Sequence, residues 1–81
     1  MKQIQLDGYS NYILHRLGAK GGPIPVIELK EDIARRGKTK DEAFRLIDAM
    51  RIKGILTIEN VGQPQAKLTA MGKTLYSAKR E

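Results

Sequence analysis

The 81-residue chain contains no cysteine. That removes disulfides, thiolate nucleophiles and cysteine-based zinc sites together. It has one histidine, His15, on a polar face, so a metal site there would lack partners. Ser10 and Ser77 have no base near them in the sequence, no carboxylate pair suggests a cleft, and no glycine-rich phosphate loop follows a strand. The inventory therefore reads as a protein that is not an enzyme, with no cofactor and no metal. Apolar runs are also short: none approaches the roughly 20 residues a membrane span requires. Residues 1–6 lack the apolar stretch of a secretion signal. The expectation is a cytoplasmic protein. There is no internal repeat, low-complexity tract or linker, so residues 1–81 read as one domain. A domain of this size is marginally stable unless its helices pack well or it dimerises.

What the chain has in excess is positive charge. Fifteen Lys and Arg oppose nine Asp and Glu, a net charge of +6. Such a balance favours polyanionic partners, nucleic acid or an anionic membrane surface. The plain alternative is a solvated basic surface.

Apolar spacing gives the element order. Tyr9, Tyr12, Ile13 and Leu17 mark a helix over 8–17, with Asp7 at its N-cap and Gly18 at its end. His15 lies away from that stripe and faces water. Residues 1–6 read as either a short strand or an arm. Gly21-Gly22-Pro23-Ile24-Pro25 is a stiff extended connector, because a proline disfavours helix in the residue before it. Pro25 opens a second helix, 25–36, in its first turn, with Val26, Leu29 and Ile33 as its buried stripe.

A turn centred on Gly37 leads to a third helix, 40–53. Thr39 and Glu42 have capping-box spacing there, and Ala43, Leu46, Ile47 and Met50 form the core face, with Phe44 on its border. Two helices joined by so short a turn form a helix-turn-helix candidate. Then follow a β-branched strand at 55–59, a turn at 60–64, and a returning strand at 65–68 with Ala66 and Leu68 inward. Thr69 caps a last helix, 70–79, whose inner face is Met71, Leu75 and Ala78. The fold class is mainly α with a small β-hairpin. A lone hairpin is marginal in water, so it must pack on helices two and three, its far end projecting.

Two stretches carry a resemblance. In 40–56, the core positions of the third helix run into Lys53-Gly54-Ile55-Leu56, similar to a recognition helix followed by "K-G-L-I". In 67–75, Lys-Leu-Thr-Ala-Met-Gly-Lys-Thr-Leu is similar to the "L-T-x-x-G-x-x-L" that ends a wing and opens the last helix. Over about 10–76 the chain resembles the small winged helix-turn-helix domains of archaeal and bacterial regulators, the broad group of MarR, PadR and ArsR types. The resemblance implies a three-helix core, a two-stranded wing and a C-terminal helix. It also implies a double-stranded-DNA-binding transcriptional regulator, with the third helix in the major groove and the wing on the backbone or minor groove.

On that docking, Arg45 serves a guanine edge or a phosphate, because its fork donates two bonds. Thr39 and Lys40, at the helix N-terminus, suit a phosphate. Lys40 and Arg51 lie toward one edge of the helix and Lys53 toward the other. Arg35, Arg36, Lys38 and Lys40, in the basic turn 35–40, meet phosphates beside the groove. Capping of the second helix explains Arg35 and Arg36 equally well. The wing tip carries no Lys or Arg; Gln63 is left to read a minor-groove edge, and Lys67 to reach phosphate from the strand.

Asp41 and Asp48 share the outer face of the third helix. Asp48 has three readings: it orients Arg45 through an i,i+3 pair, it accepts from a cytosine amino group, or it shows that this helix does not enter DNA. A homodimer through helices 8–17 and 70–79 would have Tyr9, Tyr12 and Tyr76 as anchors; the same tyrosines also read as half-buried core. Two further functions stand beside DNA. One is RNA or ribosome binding, in which the basic turn alone meets phosphates. The other is a protein-interaction module in a larger assembly, whose mark would be exposed apolar residues on the third helix, Ala49 and Ile52.

Overall fold

The Asp7 carboxylate accepts a hydrogen bond from the Ser10 amide at 2.7 Å and starts helix α1, Gly8–Lys20. The computed structural model describes residues 7–80; the strand or arm expected at 1–6 lies outside the described residues. Helix α1 buries Ile13, Leu14 and Leu17 and keeps Tyr9 and Tyr12 at the margin of the core. His15 is exposed, as its position on the helix predicts. The helix does not end at Gly18. It continues to Lys20 and closes at Gly21, whose N–H donates to the Leu17 carbonyl at 3.1 Å and whose left-handed φ of +73° then turns the chain out of the helix. Gly18 is glycine for a different reason: a side chain there would lie inside the ring of Tyr76.

The connector after α1 contains a strand. Ile24–Pro25, β1, pairs antiparallel with a later strand, Ile24 opposite Ala66 and Pro25 opposite Gln65. Two residues carry no readable alternation, so periodicity does not report such a strand. Pro25 is also the N-cap of α2, Val26–Arg35, one position before the first helical turn. Its missing N–H is tolerated because β1 is an edge strand. Val26, Leu29 and Ile33 form the buried stripe of α2 as expected.

Helix α3, Lys40–Ile52, carries the full capping box. The Thr39 hydroxyl accepts from the Glu42 amide and the Glu42 carboxylate accepts from the Thr39 amide, both at 3.0 Å. Ala43, Ile47 and Met50 are buried, Leu46 half-buried.

Strands β2, Leu56–Val61, and β3, Gln63–Leu68, pair antiparallel and turn about Gly62. The expected turn at 60–64 is thus mostly strand, with Asn60 opposite Pro64 and Val61 opposite Gln63. Pro64 fits because β1 reaches only Gln65 and Ala66, so no strand lies on that side of Pro64. The sheet is three-stranded, in order β1-β3-β2, not the bare hairpin expected.

Helix α4, Ala70–Arg80, begins at a clasp. The Thr69 amide donates to the Ile55 carbonyl at 3.0 Å, and its hydroxyl reaches the Gly54 and Ile55 carbonyls at 2.5 and 3.0 Å while accepting from the Gly72 amide. Gly72 is buried, and a Cβ there would collide with the Ile55 carbonyl. This close approach rotates the inner face of α4 by one residue. Gly72, Leu75 and Tyr76 turn inward, whereas Met71 and Ala78, expected inside, are exposed. One core joins residues of α1, β1, α2, α3 and the hairpin. Among the described residues no helix is long and apolar enough to cross a membrane.

Candidate nucleic-acid interface

The basic turn is shaped by α1. The Tyr9 hydroxyl donates to the Arg36 carbonyl at 3.1 Å, the Arg36 guanidinium lies 3.9 Å from the centre of the Tyr12 ring, and the Lys38 ammonium lies 5.2 Å from the centre of the Tyr9 ring. Cations over aromatic faces are attracted by the ring quadrupole. Tyr9 and Tyr12 therefore fix the backbone and two cations of the turn. From the sequence the same tyrosines read as dimer anchors or half-buried core. The signal for their role was the i,i+3 spacing of two aromatics with polar tips at the rim of a core face.

The four cations of the turn do not act alike. Arg35 points back along α2 and pairs with Asp32 at 2.7 Å, a carboxylate it shares with Arg16 at 3.2 Å; Arg16 also meets Glu28 at 3.1 Å. Its charge is thereby spent within the chain. Arg36 and Lys38 lie on the tyrosines, and Lys38 is also 3.8 Å from Glu42. Lys40 has no ion-pair partner among the described residues.

Along α3, Arg45 and Lys53 are exposed and likewise without an ion-pair partner among the described residues. Asp48 pairs with Arg51, at 2.8 to 2.9 Å, and not with Arg45. Helical side chains lean toward the N-terminus. A long arginine therefore reaches back three residues, Arg51 onto Asp48, while Arg45 leans away from Asp48. One of the two acids on this face is thus neutralised within the chain; Asp41 remains exposed in the first turn. A shallow hollow of about 540 Å³ between the starts of α1 and α3 is lined by Asp7, Tyr9, Lys38, Glu42, Arg45 and Leu46, which joins the turn to the helix. The Thr39 N–H holds the Glu42 carboxyl below its ordinary value, and Lys38 adds to the effect. Lys40 and Lys53 stand at opposite ends of α3, about 20 Å apart at 1.5 Å per residue.

The hairpin contributes less. Lys67 pairs across the strands with Glu59 at 3.0 Å, so its charge is largely answered. Gln63 is exposed at the tip beside Val61, which is 72% exposed. Three apolar side chains of α3 are also open, Ala49, Ile52 at 71% and Phe44 at 45%, the last beneath Lys30 at 5.0 Å. Tyr76 lies against Gly18 and meets His15 edge-on at 5.4 Å, so all three tyrosines are engaged within the chain. Among the described residues no three His, Asp or Glu side chains gather as a metal site.

Neither family models nor curated proteins compared with the chain give a match.

Proposed function

We propose that the chain is a winged helix-turn-helix domain that binds double-stranded DNA as a transcriptional regulator. Helix α3 enters the major groove, which at about 12 Å width admits one helix. Arg36, Lys38 and Lys40 meet phosphates beside it, Arg45 serves a base edge or phosphate, and Lys53 meets the backbone at the far end of the helix. The observation that carries this reading is the tyrosine-braced turn, which presents Arg36 and Lys38 near Lys40 and Arg45, neither of which has an ion-pair partner among the described residues. Such fixed cations bind phosphate without first being ordered. Arg35, Arg51 and Lys67 drop to minor roles because each holds a carboxylate at 3.0 Å or closer, whereas Lys38 is 3.8 Å from Glu42. The hairpin acts as the wing, with Gln63 its polar contact at the tip.

Fluorescence anisotropy against duplex DNA, hairpin RNA and single strands tests the reading. About five phosphate contacts give a log–log salt slope of roughly −4 to −5 on duplex. Arg45→Glu, and Lys38→Glu with Lys40→Glu, each weaken duplex binding at least tenfold, whereas Arg35→Ala changes it little. Unchanged affinity in all of them overturns the docking, and preference for RNA moves the chain to the RNA- or ribosome-binding class.

A second reading is supported by one observation. The exposure of Ala49 and Ile52, and with them Phe44, on α3 is what a protein-interaction module would present. No binding to any nucleic acid at low salt favours that reading.

A further inference from the structure

A groove of about 630 Å³ lies at the end of α1 remote from the basic turn, between that helix, the outer face of the hairpin and the start of α4. Its volume falls in the range of small-molecule sites, roughly 300–1,000 Å³. Leu17 and Leu68 give it an apolar floor. One wall is Gly21 and Gly22. Gly21 needs its left-handed φ, but Gly22 has no such φ, and a Cβ there would meet nothing within 4 Å. The absent side chain at Gly22 therefore leaves space and relieves no strain.

The polar lining has one sign. Lys67 and Lys73 line the groove and no carboxylate does. Lys67 leans toward Glu59, outside the lining, while Lys73 has no ion-pair partner among the described residues. About one positive charge is thus left for a ligand. Thr57 and Ser77 also line the groove, and their hydroxyls make no hydrogen bond among the described residues. An apolar floor, one available cation and free hydroxyl donors suit a molecule with an apolar body and one anionic group.

We propose that this groove binds a small organic anion, an apolar ring or chain carrying a single carboxylate or phosphate. The groove also borders Thr69, whose bonds to Gly54 and Ile55 fix the backbone just after α3. Occupancy would therefore bear on the end of α3. Binding itself is independent of the nucleic-acid reading and is tested without DNA.

The test is a ¹H–¹⁵N titration of the full chain with benzoate, phenyl phosphate and, as a neutral control, benzyl alcohol. The expected result is saturable shifts at the amides of Gly21, Gly22, Lys67 and Lys73 with at least one of the two anions. Benzyl alcohol binds at least tenfold more weakly, and the amides of 35–40 do not move. Lys73→Gln weakens the anion about fivefold or more, and Gly22→Leu abolishes its binding by filling the wall. Lys73 is exposed, so its variant keeps the fold even if Gly22→Leu does not. Shifts that do not saturate, that are equal for benzyl alcohol, that centre on the basic turn, or that persist unchanged in Lys73→Gln overturn the proposal.

Discussion

At Gly18 a methyl group would enter the ring of Tyr76, and at Gly72 it would meet the Ile55 carbonyl. The two substitutions should behave differently. Gly18→Ala gains helix propensity of about 1 kcal/mol but forces the ring aside, a net loss of about 1–2 kcal/mol. Adding Tyr76→Leu recovers much of that loss, seen as a coupling energy of about 1 kcal/mol in urea unfolding of the double-mutant cycle. Gly72→Ala costs about 3 kcal/mol and no side-chain change relieves it, because the obstacle is backbone. In the sequence Gly18 reads as a helix end; a glycine that ends a helix and one that admits a ring look alike until the partner, 58 positions away, is in place. Glu42 behaves the opposite way: its spacing from Thr39 was enough to read the cap. Its carboxyl titrates below the ordinary glutamate value, so it is lowered in the folded state. The sign follows: the cap stabilises above the ordinary value, and that contribution is lost as pH falls through the lowered one. Glu42→Gln should therefore lower Tm near neutrality and converge on the parent well below the glutamate range.

The helices were legible because their stripes repeat over ten or more residues; Val26, Leu29 and Ile33 of α2 stand where the period puts them. The hairpin was legible in kind but not in extent. Asn60, Gly62 and Pro64 carry turn chemistry, yet the strands pair nearly to Gly62 because nothing on the β1 side asks Pro64 for a hydrogen bond. Strand β1 was not legible at all. Within the candidate site, the cations could be read from composition, but which of them are spent could not. That depends on Asp32, Asp48 and Glu59 being in reach, and on Tyr9 and Tyr12 meeting a turn some 25 residues later. On the proposed docking, the turn and α1 act as one unit. Tyr9→Phe, which removes the bond to the Arg36 carbonyl, should weaken duplex binding about twofold. Tyr12→Leu, which removes the ring under Arg36, should weaken it about three- to fivefold, each by about 0.5–1 kcal/mol. Helical circular dichroism should be unchanged in both. A loss of helix content would instead place these rings among the residues that hold the fold.

Across the whole molecule, the sheet and both flanking helices meet at Thr69. Its amide and hydroxyl bind the backbone at Gly54 and Ile55, the residues that precede the hairpin, so 55–69 leaves the body and returns to it at one place. Thr69→Val keeps the shape and removes the hydroxyl bonds, so it should cost about 1–3 kcal/mol in thermal or urea unfolding. Inserting two residues between Val61 and Gly62 should change stability by less than about 0.5 kcal/mol, since the tip touches no core and longer loops add little closure entropy. The hairpin is in this sense a cassette. Its distal end can be lengthened, recharged or labelled with a dye without renegotiating the body that carries it. Selection, or an engineer, can therefore retune what the tip touches while leaving the helices untouched.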